Sequence, residues 1–154
     1  MSKDTISRFY TAFQQQDPQT MGELYHPEAT FSDPVFPSLN QKEVQAMWMM
    51  LIERSKGNMT VEFHSLHGDE QMAKCTWEAH YIFTKTGKRV HNIVHSTMHF
   101  KNGLIIRHTD HFNFWRWSRM ALGMPGILLG WTPIIKNKVR SAARESLEDY
   151  MKKM

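Results

Sequence analysis

The chain of 154 residues is 41% hydrophobic and 12% aromatic, which suits one packed domain and excludes a disordered or collagen-like chain. Its net charge of +4 is uneven: residues 1–114 carry 11 Lys/Arg against 12 Asp/Glu, and residues 115–154 carry 8 against 3. This balance argues against nucleic-acid binding, and the single Cys75 excludes a disulfide framework. The N-terminus has a polar helical pattern rather than a signal peptide, so we expect a soluble, cytoplasmic protein.

The first third of the chain has the apolar spacing of amphipathic helices. The first stripe consists of Ile6, Phe9, Tyr10 and Phe13. Asp17 followed by Pro18 is typical of a helix start and predicts a short second helix. Its apolar residues are Met21, Leu24 and Tyr25. Asn40 with Glu43 three residues later predicts the N-cap of a third helix. That helix carries the stripe Val44, Met47, Trp48 and Leu51.

From Thr60 the apolar period changes from that of a helix to the two-residue period of a strand. Strands are predicted near residues 60–66, 71–84, 89–100 and 104–114, and a short strand at residues 29–33 precedes the third helix. The connections are short and turn-like. Helices followed by consecutive antiparallel strands predict an α+β domain with the helices packed on one face of the sheet.

Strand alternation predicts which side chains face the core. In residues 104–114 the inward set includes His108 and Asp110, two polar groups among apolar neighbours. The outward set is Ile105, Arg107, Thr109, His111 and Asn113. Pairing Phe100 with Leu104 across a three-residue loop would place Ser96 opposite His108. In the predicted strand at residues 71–84, the inward residues are Cys75, Trp77, Ala79, Tyr81 and Phe83. The pattern predicts an apolar chamber with a few polar groups, as in small-molecule pockets.

These elements, in this order, resemble the SnoaL-like, ketosteroid-isomerase-like branch of the nuclear-transport-factor-2-like (NTF2-like) superfamily. The resemblance is carried by residues 10–17, by Ala-Thr-Phe-Ser-Asp-Pro-Val at 29–35 and by His-Thr-Asp-His-Phe at 108–112. It implies a cone of N-terminal helices wrapped by a curved antiparallel sheet over residues 1–114. Residues 115–154 are expected to form a helical extension packed on the same domain. Family members include isomerases, polyketide cyclases, epoxide hydrolases and non-catalytic binding modules, so the fold alone does not imply one function.

The resemblance also implies roles for individual residues. Asp33, in its Asp-Pro-Val setting, is similar to the general base of the isomerases, and Asp110 is similar to the acid/base aspartate of the cyclases. Phe9 and Ser96 occupy the positions at which the isomerases hold the oxyanion with a tyrosine and an aspartic acid, so a true steroid isomerase is not expected. The Asp/Arg pair of the hydrolases has no counterpart on residues 90–100.

The candidate catalytic residues are therefore Asp110, with His108 as its partner and Asp33 as a second base. The alternatives are a structural carboxylate for Asp110, a satisfied core histidine for His108 and a turn-forming role for Asp33. The expected ligand-pocket residues are Tyr10, Trp48, Trp77, Tyr81, Ser96 and Phe112. No metal and no cofactor are expected.

The leading functional hypothesis is an acid/base enzyme acting on a hydrophobic carbonyl or enol compound. The alternatives are a non-catalytic module that binds an apolar small molecule and an adaptor that contacts a membrane surface through the C-terminal extension.

The outward histidines predict a homodimer through the outer sheet face. They are His64, His80, His91, His95, His99 and His111. One metal ion is not expected to bind His91, His95 and His99 together, because residues i and i+4 on a strand lie ~13 Å apart.

Residues 120–135 are uncharged, yet two prolines and three glycines make them too short and broken to span a membrane. We expect them to cover the mouth of the cone or the dimer edge, with residues 134–151 as a basic amphipathic helix outside. Peripheral membrane contact is the less favoured alternative.

Overall fold

The computed structural model describes residues 2–154, and side chains from residue 3 onward. Three helices come first: α1 (Ser2–Gln14), α2 (Pro18–Glu23) and α3 (Gln41–Ser55). The Asp17 carboxylate accepts the backbone N–H of Thr20 at 3.1 Å and so caps α2. Asn40 and Glu43 form a reciprocal capping box at the start of α3, as their spacing predicts.

Six strands form one sheet in the order β2-β1-β6-β5-β4-β3. They are β1 (Tyr25–Ser32), β2 (Leu39–Asn40), β3 (Thr60–Gly68), β4 (Met72–Phe83), β5 (Lys88–Lys101) and β6 (Leu104–His111). Strands β3 to β6 form an antiparallel meander, whereas β1 runs parallel to β6, so the curved sheet is mixed rather than wholly antiparallel. The predicted α+β architecture is confirmed.

The β5–β6 hairpin differs from the predicted register by two residues. Asn102 and Gly103, both with positive φ, form a two-residue turn between the paired residues Lys101 and Leu104. The register then shifts again between His99 and Phe100, where β6 contains one extra residue. As a result Ser96 lies opposite Asp110, and Met98 lies opposite His108.

Because the two shifts add up to an even number, His108 and Asp110 still face the core as predicted. Ile105 lies on the turn side of the irregularity, where the alternation is reversed. It is fully buried, so its predicted outward position is wrong.

The C-terminal extension consists of α4 (Phe114–Leu122), α5 (Met124–Leu129) and α6 (Pro133–Lys152). Helix α4 packs against β5, and its Trp117 indole N–H donates to the Tyr81 hydroxyl at 2.8 Å. Helix α6 packs against α3, where the Tyr150 hydroxyl donates to the Glu53 carboxylate. Large apolar side chains of residues 124–134 remain exposed, so this chain does not bury them against the mouth of the cone. None of the helices among residues 2–154 is long and apolar enough to cross a membrane.

Candidate functional site

The centre of the candidate site is a hydrogen-bonded pair, His108 and Asp110, on the inner face of β6. The Nε2 atom of His108 lies 2.8 Å from Oδ1 of Asp110. The two side chains are 0% and 2% exposed, so the pair is shielded from bulk water. A buried carboxylate is costly unless it is hydrogen-bonded, and His108 supplies that bond.

The other ring nitrogen of His108 contacts Tyr25, the first residue of β1. The Tyr25 hydroxyl oxygen lies 2.7 Å from Nδ1, and the Trp48 indole N–H donates to the same oxygen at 3.0 Å. The donors of Trp48, Tyr25 and His108 are all satisfied when Trp48 donates to Tyr25, Tyr25 donates to Nδ1, and Nε2–H donates to Asp110. The chain of bonds therefore favours a neutral imidazole facing an ionised carboxylate.

Two further hydroxyl groups surround Nε2 of His108. The Tyr10 hydroxyl donates to Oγ of Ser96 at 2.8 Å, and Oγ lies 3.1 Å from Nε2. Burial, followed by the charge of Asp110, raises the pKa of Tyr10 well above its usual value. Burial likewise raises the pKa of Tyr25 well above its usual value. Both phenols are therefore neutral donors at physiological pH.

Asp33, the second predicted carboxylate, lies just after β1 and has two roles in the geometry. Its Oδ1 accepts the backbone N–H groups of Val35 and Phe36 at 2.7 and 2.6 Å, which is the predicted turn-forming role. Burial raises the pKa of Asp33 to about 7, and the charge of Asp110 contributes to the rise, while the two backbone bonds and Arg140 oppose it. The two carboxyl groups therefore interact electrostatically.

The predicted pocket residues lie in the core of the cone. Tyr10, Trp48, Trp77, Ser96 and Phe112 are each at most 8% exposed, and Tyr81 is half-buried. The rings of Tyr10, Trp48 and Trp77 pack against one another. Trp48 and Tyr25 are stacked on the His108 imidazole, and Phe9 and Phe31 lie edge-on to it. Aromatic side chains therefore fill the space that the sequence predicts as a chamber.

Two surface grooves of about 420 and 230 Å³ lie elsewhere on the described chain, and neither is lined by Asp110, His108 or Asp33. The first lies between residues 35–39 and α6, and the second lies along α1 and the start of α2. Trp117 packs edge-on against Phe83 and donates to the Tyr81 hydroxyl, and it is only 5% exposed. Access to Asp110 in this conformation requires side chains to move.

Sequence reasoning missed Tyr25 and Trp117 as parts of this arrangement. Tyr25 is assigned to the second helix by its spacing, although it shares strand parity with the buried Ala29 and Phe31 of β1. That alternation was the available signal. Trp117 approaches Tyr81 from 36 positions along the chain, and no local pattern predicts such a contact.

Among residues 2–154, no three His, Cys, Asp or Glu side chains are grouped so that they could hold a metal ion. On the outer face, Glu78 instead accepts hydrogen bonds from His64 and His91 at 2.8 and 2.7 Å. The polar groups of the inner site are thus a histidine, two carboxyl groups and hydroxyl groups.

Replacing Asp33 by asparagine is expected to stabilise the fold at high pH. The folded-state pKa of Asp33, about 7, lies above its ordinary value in an unfolded chain. The contribution of Asp33 to the stability of the wild-type protein is therefore fully present below about pH 4 and is lost as the pH rises through 7. Asparagine keeps the acceptor oxygen without the charge. We expect Asp33→Asn to raise the free energy of unfolding by about 1–3 kcal/mol at pH 8, since the half-buried group retains some solvent, and to change it little at pH 4.

Asp69 provides a matched control, because its Oδ1 also accepts two backbone N–H groups, from Gln71 and Met72. It is exposed, and those bonds lower its pKa. Urea unfolding across this pH range should therefore show the opposite sign for Asp69→Asn. Equal pH profiles for the two variants would contradict the assignment of Asp33.

The profile of the SnoaL-like domain family matches residues 6–108 of the chain. A search of curated protein sequences gives no significant match. Solved structures with the same fold include IdmH, a candidate polyketide cyclase from Streptomyces antibioticus, at 18% identity and a TM-score of 0.66, with 80% of this chain and 99% of that chain covered.

Two further structures are similar. A candidate polyketide cyclase from Xanthomonas campestris pv. campestris has 15% identity and a TM-score of 0.62, with 77% of this chain and 95% of that chain covered. An LEH-like epoxide hydrolase from Mycobacterium tuberculosis has 17% identity and a TM-score of 0.61, with 82% and 94% covered. At these identities the similarity shows the fold alone. Since the family profile covers more than half of the chain, this protein belongs to the SnoaL-like domain family.

Proposed function

We propose that this protein is an acid/base enzyme acting on a hydrophobic small molecule that carries a carbonyl or enol group. Asp110 exchanges a proton with the substrate, His108 positions the Asp110 carboxylate, and Asp33 is a second carboxyl group for acid/base chemistry. The proposal rests on the buried 2.8 Å hydrogen bond between His108 and Asp110. The Tyr25 hydroxyl contacts the other ring nitrogen of His108 and fixes the orientation of the imidazole. The cyclases and the hydrolase among the structural neighbours are consistent with a small-molecule enzyme.

The two carboxyl groups suit complementary roles. Asp110, which accepts the Nε2–H of a neutral His108, is available as a base for a proton on carbon next to a carbonyl. Asp33, with a pKa of about 7, is still partly protonated at neutral pH and can donate toward the oxygen of the resulting enolate. The Trp77 indole N–H is buried and has no hydrogen-bond partner among the described residues, so it is a further donor for a ligand oxygen.

Substrate access in the proposed enzyme requires α4 to shift. Asp110 is 4% exposed, and the buried Trp117 donates to the Tyr81 hydroxyl. A displacement of Trp117 would therefore uncover Tyr81. Such local opening is typical of elements that gate active sites.

The test is proton exchange into D₂O on a hydrophobic ketone such as 2-tetralone, followed by ¹H NMR. We expect the protein to accelerate loss of the α-proton signal over buffer alone. Absence of acceleration across 2-tetralone and a series of cyclic β-diketones, with quenching of tryptophan fluorescence by the same compounds, would overturn the enzyme and support the binding module.

The binding module remains the second candidate for a specific reason. Tyr10, Tyr25, Ser96, His108 and Asp110 satisfy one another by hydrogen bonds, as a purely structural core cluster would. In that case the cluster stabilises the cone, and its proton is not transferred.

We also propose that the outer sheet face is the contact of a homodimer that dissociates in acid. His80 and His91 are stacked with ring centroids 4.1 Å apart, and His95 is paired with His111 across β5 and β6. Imidazoles gain charge below about pH 6.5, and among the outward histidines of the described chain only His64 and His91 lie within ion-pair distance of a carboxylate, that of Glu78. Sedimentation should show a dissociation constant at least about tenfold higher at pH 5.5 than at pH 7.5.

The matched variant for this prediction is His95→Asn/His111→Asn, which removes two of the chargeable side chains from this face and should show a smaller difference in dissociation constant between the two pH values than wild type. A wild-type chain that is monomeric at both values at micromolar concentration would contradict the dimer itself.

A further inference from the structure

The segment that joins α4 to α6 exposes large apolar side chains that a folded protein usually buries. Six of the eleven residues 124–134 are between 47% and 69% exposed, and we call them the apolar tip. They are Met124, Ile127, Leu128, Leu129, Trp131 and Ile134. Clustered apolar exposure of this kind marks an interaction surface or an aggregation hazard.

The packing of α5 on α4 keeps the apolar tip facing outward. A Cβ atom added at Gly126 would lie 2.0 Å from the Ser118 carbonyl oxygen, and one added at Gly130 would lie 2.0 Å from the Ser118 Oγ. Only glycine permits this approach, so the glycine side of α5 faces the protein. The large apolar side chains consequently point to solvent, which reverses the usual orientation of an amphipathic helix.

The flanks of the apolar tip carry an excess of positive charge. Residues 115–140 contain five basic residues and no Asp or Glu. Arg116 and Arg140 donate to the backbone carbonyls of His91 and Pro34, contacts that leave the net charge in place. Among the described residues, none of the five forms an ion pair with a carboxylate.

Two of the basic groups lie directly next to the exposed apolar side chains. The Arg119 guanidinium lies 4.4 Å from the ring centroid of Trp115, which is itself 40% exposed. Lys138 is exposed and follows Ile134 by four residues on α6, so the two share a helix face. The Trp115 indole N–H in turn donates to the Ile127 carbonyl at 3.4 Å, so a positive group adjoins the apolar tip on each side.

We propose that the apolar tip docks on the surface of an anionic lipid bilayer. Its aliphatic and indole side chains would enter the headgroup region while Arg119 and Lys138 contact lipid phosphates, as in interfacial segments with a basic edge. A second copy of the chain on the same patch would bring two positive rims together, which disfavours self-association. The proposal stands independently of any catalytic role for Asp110.

The test is co-sedimentation of the full chain with vesicles of phosphatidylcholine containing about 30% phosphatidylglycerol, compared with pure phosphatidylcholine. We expect binding to the anionic vesicles, little binding to the neutral ones, and release at about 0.5 M NaCl, where screening is strong. Absence of binding to anionic vesicles, or equal binding to both kinds, would overturn the proposal.

Two variants separate the apolar and the charged contributions. Leu128→Ser/Trp131→Ser should weaken vesicle binding at least about tenfold, because two buried apolar side chains are lost. Arg119→Gln/Lys138→Gln should weaken it about 30-fold, because each basic group near an anionic surface contributes about fivefold. The matched controls are Leu51→Ser and Lys74→Gln/Lys101→Gln, all at exposed positions outside the segment, and these should bind like wild type.

Sedimentation velocity tests the other possible occupant of the apolar tip, a second copy of the chain. The lipid proposal would be overturned if the wild-type chain self-associated without lipid, if Leu128→Ser/Trp131→Ser abolished that association, and if adding anionic vesicles did not change it.

Discussion

Replacing His108 by alanine is expected to lower the free energy of unfolding by about 3–5 kcal/mol, because it leaves a buried charge without its hydrogen-bond donor. The substitution leaves the Asp110 carboxylate without its N–H donor and the Tyr25 hydroxyl without its acceptor, both in the protein interior. It also leaves a cavity beneath Phe9 and Trp48, which pack on the imidazole ring. Urea unfolding at pH 7 measures the change.

The control for this prediction is His111→Ala. His111 is the last residue of β6 and its side chain is exposed, so the loss in free energy of unfolding should stay within about 0.5 kcal/mol. A double-mutant cycle adds a second criterion. Because Asp110→Asn removes the charge that the His108 N–H stabilises, the two substitutions together should cost less than the sum of their separate costs. Strictly additive effects would mean that the pair contributes no coupling, and the central contact of the proposed site would lose its support.

Replacing Asp110 by asparagine is expected to lower the rate of α-proton exchange on 2-tetralone by about 10²–10⁴-fold, the range typical of general acid/base catalysis. Asparagine retains an oxygen that accepts the Nε2–H of His108 but cannot accept a proton from carbon. Ligand binding should therefore persist while exchange is lost. Tryptophan fluorescence titration and ¹H NMR exchange measure the two properties separately.

Asp69→Asn is the matched control, since it removes one carboxylate from an exposed turn and should leave exchange unchanged. If Asp110→Asn exchanged the ketone at the wild-type rate, the proton acceptor would lie elsewhere, and Asp33 would be the next candidate. If it failed to bind ligand as well, Asp110 would be a structural residue.

The resemblance to SnoaL-like proteins and the burial of Asp110 could both be predicted from the sequence, because the signals involved are local and periodic. The Asn40–Glu43 spacing encodes a helix cap, and the two-residue alternation of β6 places residues 108 and 110 on one face. Such patterns depend only on residues a few positions apart. The register of β5 against β6 was harder, because the turn and the irregularity each shifted it by one residue.

The partners of His108, by contrast, were decided by the tertiary structure. Tyr10 and Tyr25 reach the imidazole from 98 and 83 positions away, so no local pattern records these contacts. The same holds for the pKa of Asp33, which burial and the charge of Asp110 raise to about 7. The sequence identifies residues 120–135 as uncharged and broken, but only the close approach of Gly126 and Gly130 to Ser118 determines that their large apolar side chains face outward. Periodicity thus determined which side of each strand is buried, whereas packing between distant segments decided which groups meet there.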